Sequence, residues 1–238
     1  MATSFADTSK KSFHELMREA CVSRYFSGSG PLRLKLVEDD PTSAMHFVLG
    51  DNGAGKSFLV QLMSAYAKRQ QCTPLQVSMA YRTRGGVERA MMYGSEDDQS
   101  TGCTSISVVR GAVRSMHSWK GKDHMALFDE PDTGLSDRYA YPMGKYLAQY
   151  AVAPAPGCRG VLVITHSRAL VKGALTALAQ ADRTASVAVV GDCYDSLEGF
   201  LASTDYASVE EMELLDDQAI VAWRTLNKII ADKANATQ

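Results

Sequence analysis

The sequence has no C-x-x-C pair, and its five cysteines are an odd number. That removes a fully paired disulfide framework and any zinc site of the usual spacing, so reduced thiols are expected. No apolar run approaches the roughly 20 residues that a membrane helix requires, so direct membrane insertion is not expected. Residues 1–11 are polar and carry no hydrophobic core of a secretory leader. These absences make the cytoplasm the expected compartment. Charge of one sign is missing too, for the formal net charge is −2. So even a balance argues against strong nonspecific attraction to nucleic acid or to anionic membranes. The small basic groups Lys68-Arg69, Arg82/Arg84 and Arg110/Arg114 leave DNA contact open without signalling it. There is no internal repeat and no interior low-complexity segment.

What remains is 238 residues with 45% hydrophobic content, enough for one domain with a substantial core. Residues 1–9 are small and polar and read as a mobile tail. Lys10 to Tyr25 reads as a helix with Phe13, Leu16, Met17 and Ala20 on one face. Leu32, Leu34 and Leu36 alternate with wetter neighbours, and Met45 to Leu49 is a short apolar run. Glu38-Asp39-Asp40-Pro41 between them predicts an antiparallel hairpin at the N-terminus. Further strands are expected at 74–81, 124–128, 161–164 and 187–190, with helices at 58–68, 104–118, 137–150, 167–181 and 217–232. In the last helix Ile220, Trp223, Leu226 or Asn227, and Ile230 are expected to share a side. Strands alternating with helices imply an α/β fold with a mostly parallel central sheet.

The most informative stretch is Gly50-Asp51-Asn52-Gly53-Ala54-Gly55-Lys56-Ser57. It fits G-x-x-x-x-G-K-[ST] and lies between the apolar run 45–49 and the helical stretch from Phe58, the context that motif requires. Glycines let successive N–H groups converge on an anion, and the helix start adds its free donors and positive dipole end. Lys56 supplies a compact positive charge for the outer phosphates of a nucleotide, and the Ser57 hydroxyl suits Mg²⁺.

Two further constellations leave the ends of apolar runs. Met125-Ala126-Leu127-Phe128 delivers Asp129 and Glu130, two adjacent carboxylates, to the carboxyl end of a strand, where ligands sit in open parallel sheets. Asp129 suits Mg²⁺ binding and Glu130 suits a water-orienting or basic role. Val161-Leu162-Val163-Ile164 delivers Thr165 and His166, and His166 is placed to hydrogen-bond a γ-phosphate or the attacking water. His117 and His124 flank the Trp119 turn without further ligands, and Asp192, Asp195 and Glu198 read as solvated loop.

The order G-x-N-G-x-G-K-S, then four apolar residues with Asp-Glu-Pro, then Thr-His-Ser resembles the ATP-binding-cassette (ABC) class of P-loop ATPases, in its compact soluble bacterial and phage forms. The resemblance spans roughly residues 32–190. It implies ATP and Mg²⁺ as ligands and hydrolysis to ADP and phosphate. It also implies a head-to-tail homodimer driving a conformational switch in an unidentified protein partner. Lys56, Glu130 and His166 would then be catalytic, residues 50–57 would hold the nucleotide, and Ser57 and Asp129 the metal. Glu130 to Ser136 looks like the family's Asp-Glu-Pro stretch running into the D-loop. No L-S-G-G-Q signature is present. Ser100-Thr101-Gly102-Cys103, before the helix at 104–118, is the candidate, with Ser100 and Gly102 reaching a phosphate of the second subunit; an ordinary helix cap is the competing reading. Gln76 falls in the interval of the family's glutamine loop but inside an expected strand. Tyr25 has two readings, stacking on adenine or core packing. Only about 43 residues separate Ser57 from Ser100, so residues 83–118 would form a reduced helical subdomain, and 208–238 a C-terminal helical segment. The alternatives are the nucleotide-binding subunit of a transporter and a noncatalytic ATP sensor; Glu130 speaks against the sensor.

Overall fold

A strand buried on both faces needs apolar side chains along its whole length, and the apolar runs of this chain meet that demand. The computed structural model describes residues 10–27, 30–78 and 100–236. Its strands are β1 (Leu34–Glu38), β2 (Met45–Leu49), β3 (Thr73–Ser78), β4 (His124–Asp129), β5 (Cys158–Thr165) and β6 (Ala185–Val190). They form one sheet in the order β1-β6-β2-β5-β4-β3. All neighbours are parallel except β1, which runs antiparallel to β6. β2 and β4 are buried at every position.

The described helices are α1 (Phe13–Cys21), α2 (Lys56–Arg69), α3 (Thr101–Ser118), α4 (Asp137–Val152), α5 (Arg168–Gln180), α6 (Leu197–Ala202) and α7 (Val209–Ala236). They cover both faces of the sheet. On one face Val109, Met116, Leu147 and Leu170 of α3, α4 and α5 pack on Phe47, Phe128 and Val163. On the other, Leu16, Leu59 and Leu226 of α1, α2 and α7 pack on Val48, Leu127 and Ile164. The chain is therefore α/β, with a mixed but mostly parallel sheet flanked by helices.

The hairpin expected at the N-terminus does not form. β1 and β2 both pair with β6, which lies between them. The connection is tied to the start of β6 rather than turned on itself. Ser186 Oγ donates to the Asp40 carbonyl at 2.8 Å, the Ala44 N–H donates to the Thr184 carbonyl at 3.0 Å, and the Thr184 hydroxyl donates to the Asp40 carboxylate. These bonds carry residues 39–44 across the start of β6, leaving β1 as its outer edge partner.

Helix ends follow capping chemistry. Ser12 caps α1 in a reciprocal box with Glu15, so the helix starts at Phe13 and not at Lys10. Ser100 caps α3, which therefore begins at Thr101, ahead of the expected Thr104. The expected strand at 74–81 is seen as Thr73–Ser78; residues 79–81, the expected tail at 1–9 and the 83–99 part of the expected subdomain lie outside the described residues. α7 starts earlier than expected, and of the residues expected to share its apolar side Leu226 is buried. Leu215, Ala219 and Ala222 are half-buried and Leu226 is buried, whereas Ile220, Trp223 and Ile230 stay exposed. The spacing of 4, 3 and 4 is a helical face.

His46 of β2 is 5% exposed and packs 4.8 Å, ring centre to ring centre, from Phe13. Burial, aided by His14, pushes its pKa from 6.5 to about 3. Between those values the unfolded chain binds a proton that the folded one refuses, so stability falls as pH drops through that window. One such proton contributes a slope of about 1.4 kcal/mol per pH unit. His46→Leu should therefore gain stability relative to the parent more at pH 5 than at pH 7.5, read by urea unfolding. An equal difference at the two pH values would contradict this.

Candidate functional site

The three motifs meet because β2, β4 and β5 are parallel neighbours whose carboxyl ends are level. Leu49 pairs with Thr165, and Asp129 with Ile164. The residues that follow each strand, Gly50, Glu130 and His166, thus emerge along one edge of the sheet.

The loop from Gly50 to Ser57 turns tightly, with Gly53 at φ 75° and Gly55 at φ 102°. These are left-handed values that side chains disfavour. Space is also short. A Cβ on Gly53 would meet Leu215 of α7 at 2.9 Å, and one on Gly55 would meet Leu32 at 2.7 Å. α2 starts at Gly55 without a side-chain cap, whereas α1, α3, α5 and α6 each start under a serine hydroxyl. Its first N–H groups and dipole therefore face the loop without a side-chain acceptor. Asp51, Asn52, Gly53 and Ser57 are exposed, Ala54 is half-buried, and the Asp51 carboxylate accepts from Tyr194 at 3.1 Å.

Lys56 turns back under the loop. Its Nζ donates to the carbonyls of Gly50 at 3.0 Å and Asp51 at 2.8 Å. Burial draws its pKa down, while Glu130, Asp51 and Asp129 pull it back up. It is a buried cation held by two carbonyls and by nearby carboxylates.

Glu130 is where the motifs converge. Its Oε1 lies 3.8 Å from Lys56 Nζ and 3.4 Å from His166 Nδ1. The His166 hydrogen bond lowers the Glu130 pKa, and the same bond raises that of His166. The carboxylate is thus held ionised and oriented. Its backbone is left-handed at φ 50°, uncommon for a residue with a side chain. Three bonds hold that turn. The Glu130 N–H donates to the Ile164 carbonyl at 2.9 Å, and its carbonyl accepts from the Thr133 N–H at 3.1 Å and hydroxyl at 2.9 Å.

Asp129 is buried, and burial raises its pKa. Ser78, at the end of β3, donates to its Oδ2 at 2.9 Å. This serine escaped the sequence reading because nothing local marks it; only the pairing of Ser78 with Asp129 across β3 and β4 reveals it. Buried Asp132 was missed for a similar reason. It accepts from the Thr165 hydroxyl at 2.9 Å, and that oxygen in turn accepts from the Ser167 N–H at 2.9 Å. The pair ties the segment after Glu130 to the segment that carries His166. The hard oxygens of Ser57 and Asp129 suit Mg²⁺, which commonly takes one or two protein ligands beside phosphate and water. A divalent cation would also compensate the buried Asp129 charge. Among the described residues no group of three or more His, Cys, Asp or Glu is placed to hold a metal by itself.

Ser100 and Gly102 are not brought to this cluster. Ser100 Oγ accepts the Cys103 N–H at 3.4 Å, an ordinary cap. Gly102 is buried, and a Cβ there would meet the Gly134 carbonyl at 2.6 Å. Ser105 of the same helix donates to the Thr133 carbonyl at 2.6 Å. The start of α3 is thus fastened to the 133–134 turn, three to four residues from Glu130. Gln76 accepts from Ser64 at 3.4 Å within β3. Tyr25 packs edge-on against Phe58 at 5.2 Å, in keeping with its packing role. His124 bonds the Lys122 carbonyl at 2.8 Å, away from the site. All five cysteines are free, and among the described residues no helix is long and apolar enough to cross a membrane.

Ser78→Ala removes the donor to a buried carboxylate, a contact to a charged group worth about 1.5–3 kcal/mol. The urea midpoint at pH 7 should fall accordingly, and a Ser78→Thr variant that restores the hydroxyl should recover most of it. An unchanged midpoint in Ser78→Ala would show that the bond contributes nothing.

Comparison with models of known protein families, with curated proteins and with solved structures gives no significant match for this chain.

Proposed function

We propose that this chain is an ABC-type P-loop ATPase that binds MgATP at Gly50–Ser57 and hydrolyses it to ADP and phosphate. The observation that carries the reading is the position of Glu130 between Lys56 and His166, three residues from separate motifs gathered around one carboxylate. A glycine-rich turn with no ligand would have no need of that convergence.

In this reading Lys56 exchanges its loop carbonyls for the β- and γ-phosphates. Asp51 to Ser57 supply backbone N–H groups to the phosphates. Ser57 and Asp129 would hold Mg²⁺, which would supply positive charge against the phosphates. Glu130 accepts a hydrogen bond from the attacking water and turns its lone pair toward the γ-phosphorus. His166 holds Glu130 in that orientation. The water oxygen forms a bond to phosphorus as the bond to the ADP oxygen breaks. Positioning and charge stabilisation supply most of the rate in such transfers.

The reading extends to two copies closing head to tail, with Ser100 and the start of α3 facing the second nucleotide. The burial of Gly102 against Gly134 gives that contact an indirect form: a phosphate at α3 would press on the 133–134 turn and, through Thr133, on Glu130. Closure and release would then drive a protein partner, with DNA as one context among several.

Glu130→Gln should keep ATP affinity within a few-fold and cut turnover by about a hundredfold or more, the range of a lost water-orienting base. Phosphate release and calorimetric titration measure the two, and sedimentation with MgATP should reveal a dimer in this variant. Full turnover in Glu130→Gln would remove Glu130 from the chemistry. Lys56→Ala should weaken ATP binding by at least about tenfold; unchanged affinity would detach the loop from the phosphates.

A further inference from the structure

The cavity beside the loop is larger than phosphates require, and its far wall comes from the C-terminal helix. It has a volume of about 250 Å³. One side is the loop itself with Lys56 and Ser57. The other is apolar, made by Leu32, Phe58, Ala219, Ala222, Trp223 and Leu226. Four of these six residues belong to α7. The helix is seated there by Leu226, which is buried in the core shared with α1 and α2, and by Leu215, whose side chain lies over Gly53.

We propose that this wall is the base subsite of the nucleotide, with Trp223 as the aromatic platform that the base stacks on. The inference rests on the proposed binding of a nucleoside triphosphate at Gly50–Ser57 and names what recognises the other end of that ligand. Three observations carry it. The apolar wall and the phosphate loop line a single cavity, so one ligand with an anionic end and a flat apolar end fills both. Trp223 is 49% exposed, although it lies on a helix whose neighbouring residues Ala222 and Leu226 are packed. An indole left half-open beside an anion loop has a face to offer. The aromatic upstream of the loop, Tyr25, is already engaged edge-on with Phe58 and does not line the cavity.

The chemistry of the wall also sets its selectivity. Stacking uses the π-face that every base carries, and contributes affinity without reading base edges. Gln61, one turn beyond Ser57 on α2, is the polar side chain that α2 adds to the cavity beyond the loop. With Asn52 as the other side-chain amide lining the cavity, little is placed to read base edges, so adenine and guanine nucleotides should bind within about tenfold of each other.

Trp223 reports on its own contact. The chain has two tryptophans, and Trp119 stands at the end of α3 against His124, at the opposite edge of the sheet. In a Trp119→Phe protein, MgATP and MgGTP should quench the remaining emission, while magnesium tripolyphosphate, which has no base, should bind without quenching. Calorimetry of Trp223→Ala should show ATP affinity reduced about 5- to 150-fold, the range of one lost stacking contact, with tripolyphosphate affinity unchanged. Trp223→Phe should recover most of the ATP affinity. ATP binding unchanged in Trp223→Ala overturns the base subsite and leaves the phosphate loop standing. Equal loss for ATP and tripolyphosphate also overturns it, since Trp223 would then act through the seating of α7. Binding of neither ligand by the unaltered protein overturns the nucleotide reading and this inference with it.

Discussion

A buried ammonium group among carboxylates is the constraint on which the site depends. Lys56 is drawn under its own loop, where two carbonyls hold it and the charges of Glu130, Asp51 and Asp129 keep it protonated against burial. Each part of that arrangement explains a local peculiarity. The loop must turn tightly enough to aim two carbonyls at one nitrogen, so Gly53 and Gly55 adopt left-handed values. Glu130 must leave β4 toward Lys56 rather than along the strand, and its own left-handed backbone, held by Ile164 and Thr133, makes that turn. Removing the cation would leave the buried Asp129 carboxylate beside a second carboxylate, a costly arrangement in a poorly hydrated place.

The central strands and the loop were legible in the sequence because their signals are local. Continuous apolar runs give buried parallel strands, and the positions that follow them carry the polar groups. The relations between distant residues were not legible. Ser78 faces Asp129 only because β3 and β4 pair, and Asp132 meets Thr165 only because β4 and β5 do. The hairpin failed for the same reason. Leu34 and Met45 lie close in sequence, but the partner that separates them, β6, arrives some 150 residues later, and Asp40 is bonded to residues at its start. On α7, the hydrophobic period was visible, but of its packed face only Leu226 was. Ile220 and Ile230 carry more apolar surface than Ala219 and Ala222, yet the side of α7 turned inward is the one carrying Leu215, Ala222 and Leu226.

The same packing gives the molecule a division of labour. The sheet edge supplies charge and geometry through strands that are buried and rigid. The start of α3 is bolted to the 133–134 turn, so a force on that helix is felt near Glu130. Among its described side chains, α7 lies beside the loop through Leu226, which is buried, and Leu215, which covers Gly53, while several apolar side chains such as Val221 and Trp223 are exposed.

The central claim is that one loop cradles a triphosphate while the acids at the end of β4 manage its metal and its water. A crystal structure with Mg²⁺ and a non-hydrolysable ATP analogue tests it most directly. The account predicts the β-phosphate within hydrogen-bond reach of the backbone from Gly53 to Ser57, Lys56 Nζ moved from the Gly50 and Asp51 carbonyls onto phosphate oxygens, and Mg²⁺ beside Ser57 and Asp129. Lys56 still bonded to its own loop, with the analogue absent or bound elsewhere, would contradict it.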